Sequence, residues 1–262
     1  MANAPLRSLF QQRFRDAPDL PETLATNPEI TRLAARGSCR HFKPDQIDPA
    51  VLETLCAAAL CAPSKSDLQQ RDILIVTDPG LLRSLKSLLD AQPWIADAPA
   101  MVVFLANNRR QRQLQAWHAQ PFPNDHLDAF FNASLDAGIA LAFFMVAAEA
   151  AGLGCCPIST IRNHLKEVRG LLNLPDHVFP VAGMAVGHPL RAPEISARLP
   201  LAKTVHHNQF ADITKDEVSA YDTRRLAGAD GPGWSEAKAK MYASPQRTDF
   251  ADVMREIGFK LD

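Results

Sequence analysis

The stretch AFFNASLDAGIALAFFMVAAEAA, Ala129 to Ala151, decides how the rest of the chain is read. It is apolar on nearly every helical face, through Phe130, Phe131, Leu141, Phe143, Phe144 and Met145, and is interrupted by Asn132, Asp136 and Glu149. A membrane span needs about 20 consecutive apolar residues. The uninterrupted run here is only Ala137 to Ala148, so the pattern predicts a helix buried at the centre of a soluble fold. Gly152 and Gly154 follow directly and are expected to close it as C-caps.

Working outward, Asp48-Pro49 supplies an N-cap with proline at the first helical position, and Val51 to Leu60 reads as a helix halted at Pro63. Ile73 to Val76 and Met101 to Leu105 are short apolar runs rich in β-branched residues, which predicts buried strands, with a helix from Pro79 to Leu89 between them. Phe179 to Val186 is a third strand, whose Pro180 belongs at its start or at an edge because it has no N–H for the ladder. Strands alternating irregularly with many helices place the chain in the α+β class.

The 262 residues, 47% of them hydrophobic, suffice for a sizeable core without metal or disulfide support. A net charge of −1 provides no general field for nucleic acid or an anionic membrane, so neither is expected as a partner. The five cysteines, Cys39, Cys56, Cys61, Cys155 and Cys156, form no CxxC pair and no secreted framework, and the first 28 residues lack the apolar core of a signal peptide. A reduced, cytoplasmic setting is expected. Leu6, Leu9, Phe10 and Phe14 share one helical face, a pattern read here as a frayed surface helix.

Chemistry concentrates in separated segments. In an extended stretch side chains alternate, so Arg36, Ser38 and Arg40, with Gly37 between the first two, turn two guanidiniums and a hydroxyl to one side. That set suits a phosphate, which guanidinium grips through charge-assisted hydrogen bonds. Ala62 to Gln69 is a polar loop beginning where a helix stops, and Gly187-His188-Pro189 precedes Arg198-Leu199-Pro200. Together these segments look like a flavin mononucleotide (FMN) site. No H-E-x-x-H, G-x-S-x-G, Rossmann or P-loop fingerprint is present, and the adjacent His206 and His207 lack complementary ligands, so no metal is expected.

The order of these segments, with Ile161-Arg162-Asn163, Leu172-Asn173-Leu174-Pro175 and Val205-His206-His207-Asn208, resembles the FMN-dependent nitroreductase family and its NADPH-linked oxygen-insensitive nitroreductase and flavin reductase branch. The likeness is close from Thr31 to Phe210. It implies a mainly antiparallel central sheet surrounded by helices, an intertwined homodimer, and a division into an N-terminal extension (1–26) and an FMN-binding domain with a C-terminal helical region (27–262). It also implies an NAD(P)H-dependent oxidoreductase, with NADPH the donor of the branch. Nitroaromatics, quinones or free flavin would be reduced by a ping-pong mechanism in which the cofactor carries the hard chemistry, so no catalytic side chain is named.

By the same resemblance Arg198 joins Arg36, Ser38 and Arg40 at the phosphate. Pro63, Ser64, Lys65 and Ser66 approach the flavin from the second subunit, with Gln69 more peripheral, and Gln92 bonds the ring or ribityl chain. The backbone of Pro157, Ile158, Ser159 and Thr160 lies against the ring, although Ser159 and Thr160 depart from the family's glycine-rich pattern. Ser196 is the sharper departure, because the branch commonly carries a flavin-assisting lysine there. Arg224 and Arg225 correspond to the region that holds the NADPH 2′-phosphate, with Arg247 a more distant candidate. The alternatives are a non-enzymatic FMN-binding or sensing protein and a dehalogenase or ring-modifying enzyme on the same fold.

Overall fold

The computed structural model describes residues 6–262. In chain order the described helices are α1 (Leu6–Phe14), α2 (Glu22–Ala25), α3 (Pro28–Ala35), α4 (Pro49–Leu60), α5 (Pro79–Ser87), α6 (Arg109–Trp117), α7 (Leu127–Ala150), α8 (Leu165–Leu171), α9 (Lys215–Leu226), α10 (Trp234–Tyr242) and α11 (Phe250–Glu256). The strands are β1 (Arg71–Val76), β2 (Ala100–Asn107), β3 (Gly154–Ile158) and β4 (Val178–Gly187). The chain divides into two compact units. The first comprises Met1–Gly37, described from Leu6 onward, with Glu194–Gln246, and the second comprises Ser38–Pro193 with Arg247–Asp262.

The second unit holds one antiparallel sheet in the order β1-β2-β4-β3. Every residue of β2 is buried, because both faces of this strand are covered. Val102 and Phe104 belong to the cluster that packs on α7, while Met101, Val103 and Leu105 belong to the cluster built with α5 and α8. On α7 the residues turned inward are Ala133, Ala137, Ala140, Phe144 and Ala148, a stripe at steps of three and four. Phe144 meets Phe104 edge to face at 5.6 Å, a favoured aromatic geometry. By length and composition α7 could cross a membrane, but it is packed on all four strands and on α4 as the core helix.

The predicted elements stand, with four differences. First, α7 is not enclosed on all sides: Leu127, Phe131, Leu135, Phe143 and Val146 are exposed along its outer face. Second, Gly152 ends the helix at φ 81°, but Gly154 is no cap; it opens β3, where an added Cβ would lie 2.5 Å from Cys39 Sγ. Third, Pro180 sits inside β4, accommodated where the register slips between Phe104 and Leu105 and beyond the last pairing of β3. Fourth, α1 is no frayed appendage: Leu6 and Leu9 are buried with Ala34 of α3 against Ile30 and Ile195. The boundary read at residue 27 falls inside the first unit.

Candidate functional site

In the second unit, residues 38–43 run along the sheet end. The Cys39 N–H donates to the Cys155 carbonyl at 2.9 Å, the Lys43 N–H to His188 at 2.9 Å and the Leu190 N–H to His41 at 2.9 Å. Gly187 permits this docking, since an added Cβ would meet Phe42 Cδ1 and Pro99 Cδ at 2.8 Å. The Gly187-His188-Pro189 motif is thus a seam that fixes the phosphate-type stretch. Burial alternates as expected for extended chain: Gly37 and Cys39 are buried, Arg36 and Ser38 partly so, and Arg40 is exposed. Burial pushes the Cys39 thiol above its ordinary pKa, so it is no reactive thiolate. The Arg40 guanidinium lies 5.8 Å from the Trp94 ring centre, and Trp94 Nε1 donates to Gln92 Oε1 at 3.1 Å. Trp94 therefore brings Arg40 and Gln92 together.

The loop from Pro63 to Gln69 leaves α4 under tight control. Buried Arg71 donates to the Leu60 and Ala62 carbonyls at 3.0 and 2.8 Å, fixing the helix end. The Lys65 and Gln70 N–H groups both donate to Asp136, the Gln69 N–H donates to Ser64 Oγ at 3.2 Å, and Gln111 Nε2 donates to the Leu68 carbonyl at 2.7 Å. Lys65, Ser66 and Gln69 remain exposed.

Ile158 is buried at the end of β3, and Pro157 and Ser159 are exposed. The Thr160 hydroxyl is buried with no hydrogen-bond partner, which is costly unless something satisfies it. Arg247 joins this segment through Asn163 Oδ1 at 2.8 Å and the Ser159 carbonyl at 3.4 Å.

In the first unit, Arg36, Arg198 and Arg225 line one cavity of about 590 Å³, with Tyr221 and Trp234 in its wall. Buried Arg13 organises this region. It donates to the Ala34 carbonyl at 3.0 Å, to that of Arg36, and to that of Ser196 at 3.4 Å, while its own carbonyl accepts from the Arg198 N–H at 2.7 Å. Ser196 Oγ accepts from Arg198 at 3.1 Å, a role no lysine can fill. Arg224 and Arg225 sit in the last turn of α9. Arg224 donates to the Arg198 carbonyl, and Arg225 to the Ala197 carbonyl at 3.0 Å and to the Tyr221 hydroxyl at 2.8 Å.

Arg13 and Asp136 carry the organisation of these segments, and sequence reasoning assigned neither a role. Asp136 did leave a signal, an acid interrupting an otherwise apolar helix; Arg13 left none. The residue types suit FMN: four arginines, Arg13, Arg36, Arg198 and Arg225, line one cavity, the chemistry of an anion site, and the orphaned Thr160 hydroxyl sits in the segment assigned to the ring. Among the described residues no group of three or more His, Cys, Asp or Glu is arranged to hold a metal.

An antiparallel sheet covered by helices on both faces places the second unit in the α+β class. The chain belongs to the nitroreductase family: the family model matches residues 33–188, and that of its C-terminal domain matches residues 196–262. It is an oxidoreductase, and its cofactor is FMN. An FMN reductase [NAD(P)H] of Bacillus subtilis is 29% identical over 247 residues, covering 90% of this chain and 99% of the relative. An oxygen-insensitive NADPH nitroreductase of Salmonella typhimurium is 33% identical over 199 residues, covering 75% and 80%. Among solved structures, NfrA2 of B. megaterium superposes with a TM-score of 0.85 at 31% identity, covering 90% of this chain and all (100%) of that one. NADPH:FMN oxidoreductase of Vibrio harveyi, complexed with NAD+, gives 0.81 at 28% identity, covering 88% and 98%.

Proposed function

We propose that this chain is a cytoplasmic, homodimeric, FMN-dependent oxidoreductase that takes reducing equivalents from NADPH and delivers them to nitroaromatics, quinones or free flavin in a ping-pong cycle. The observation that carries the reading is the cavity of the first unit lined by Arg36, Arg198 and Arg225, an anion site in a family whose relatives are named as flavin and nitro reductases. When bound, FMN supplies hydride acceptance from the nicotinamide and electron delivery to the second substrate.

The chain's own residues bind and orient. Arg36, Ser38, Arg40 and Arg198 hold the phosphate. Gln92 and the backbone of Pro157, Ile158, Ser159 and Thr160 orient the ring, and Pro63, Ser64, Lys65, Ser66 and Gln69 reach the flavin of the other subunit. Arg224 and Arg225 meet the NADPH 2′-phosphate from the last turn of α9, where the helix dipole favours cations but their donors already serve backbone carbonyls. The exposed apolar face of α7 is the dimer surface, since an exposed apolar stripe of this size marks an interaction site.

The test is anaerobic stopped-flow reduction of the holoprotein by NADPH and by NADH, followed by an acceptor screen. Rapid bleaching by NADPH and recovery of the yellow colour with a quinone or nitroaromatic is the expected result. Protein that stays yellow under excess reductant is a flavin carrier and not a reductase. The Arg224→Ala/Arg225→Ala double variant should lose kcat/KM for NADPH and nearly keep that for NADH; parallel loss would remove these residues from donor selection.

A further inference from the structure

Asp136 is completely buried on α7, and both of its carboxyl oxygens accept backbone N–H groups of one loop: Lys65 at 2.9 Å and Gln70 at 3.1 Å. The segment between them is strained. Ser66, Asp67 and Gln69 all have left-handed backbone, with φ of 49°, 54° and 51°, and none is glycine. Such conformations persist only where the surroundings over-determine them, and they cluster where a binding surface is pre-shaped. Here one carboxyl group in the core supplies two acceptors at the two ends of the strained run. Further hydrogen bonds support the same loop, among them Gln111 to the Leu68 carbonyl, Arg110 to the Gln69 carbonyl and the Gln69 N–H to Ser64 Oγ.

We infer that Asp136 is a positioning residue for the flavin reaction: it holds the Ser64 to Gln69 loop in the strained shape in which Ser64, Lys65 and Ser66 reach the flavin. The inference rests on the reading above that this loop touches the flavin. Two features make Asp specific. Its two oxygens span two donors, which an amide cannot do, because the NH₂ of Asn would face an N–H. It also stands on α7, the helix packed on all four strands, so these two anchors of the loop are set from the core.

Asp136→Asn tests this with two separate readouts. Hydrogen exchange reads the clamp itself, and the Lys65 and Gln70 amides should exchange roughly tenfold or more faster in the variant. The flavin visible spectrum and the anaerobic rate of reduction by NADPH read the consequence. The spectrum should shift and the rate should fall several-fold, while KM for NADPH changes little.

Asp136→Asn/Asp67→Gly, which relaxes one left-handed residue, should recover part of the rate, a rescue that general destabilisation would not give. If Asp136→Asn does not fold, Lys65→Pro against Lys65→Ala isolates the same N–H from the loop side, and only the proline variant should show the enhanced exchange at Gln70. Unchanged exchange at both amides overturns the clamp. A freed loop with an unaltered flavin spectrum and rate overturns the positioning role, and it locates the error in the loop's assignment to the flavin, leaving FMN binding and reductase activity untouched.

Discussion

Removing the Arg198 guanidinium should separate FMN from riboflavin, two ligands that differ only in the phosphate. In the first unit the side chain is exposed toward the cavity, and one terminal nitrogen already donates to Ser196 Oγ at 3.1 Å and to the Ala197 carbonyl at 3.2 Å. The other guanidinium donors are left for the proposed phosphate contact, taken as one charge-assisted hydrogen bond. Such a bond contributes about 1.5–3 kcal/mol, and solvent at an exposed position holds it near the lower end. At 1.4 kcal/mol per decade, Arg198→Ala should weaken FMN by about ten- to thirtyfold and leave riboflavin within about twofold. The local fold should survive, because the backbone N–H of residue 198 keeps its bond to the Arg13 carbonyl. Fluorescence titration of apoprotein with both flavins measures the split, and Arg198→Lys, which keeps charge but loses the planar fork, should fall between. Equal losses for FMN and riboflavin would refute the phosphate role.

Three further outcomes are expected. Ser196→Lys should raise the midpoint potential of the bound FMN, because added positive charge favours the reduced anionic form; spectroelectrochemistry that finds it unchanged or lowered would assign that stabilisation elsewhere. If the proposed dimer forms through the exposed α7 stripe, Leu135→Glu at its middle should give monomers in sedimentation velocity, and a stable, active monomer of the unmodified chain would remove the interface altogether. Stability should rise with pH through the histidine range, because burial holds His177 below its ordinary pKa of 6.5, with Arg112 acting the same way and the Gly258 carbonyl, Asp176 and Asp125 opposing. Below that value the unfolded chain binds a proton that the folded chain resists, so this stability is present above about pH 6.5 and lost as pH falls through the folded value. Urea midpoints across that range should flatten in His177→Gln, and an unaltered slope would point to another group.

Much of the fold was legible because its signals are local. The α4 N-cap at Asp48, whose carboxyl accepts the Ala50 N–H at 2.8 Å, is written in two adjacent residues, and β2 is visible as an apolar run because both its faces are covered. What misled were positions decided by distant neighbours. Gly154 reads as a cap two residues after Gly152, yet its lack of a side chain answers to Cys39, more than a hundred positions away in sequence. Likewise, periodicity reports that α7 is apolar all round but not which side its own chain covers. The packing assigns the 133-137-140-144-148 stripe to the sheet and leaves Phe131, Leu135 and Phe143 outward.

The arginines show why site reading was harder than fold reading. A guanidinium carries five donors and no acceptor, so it serves backbone carbonyls as well as it serves phosphate, and the sequence pattern is the same for both. Segment 196–198 is held by donors from Arg13 on α1 and from Tyr221, Arg224 and Arg225 on α9, all to carbonyl oxygens. A basic dipeptide such as Arg224-Arg225 therefore reads as a ligand grip even while it works as a structural clamp. Ser196 inverts the problem. By the resemblance, serine stands where the branch commonly has a lysine and so brings one cation fewer, but its hydroxyl accepts from Arg198 and so orders the cation that is present. Fewer charges held more rigidly is a coherent anion site, because pre-ordering spares the ligand the entropy of fixing a long side chain. On that account Ser196→Ala should cost FMN affinity although it removes no charge, an outcome that a purely charge-counting description of the site does not produce.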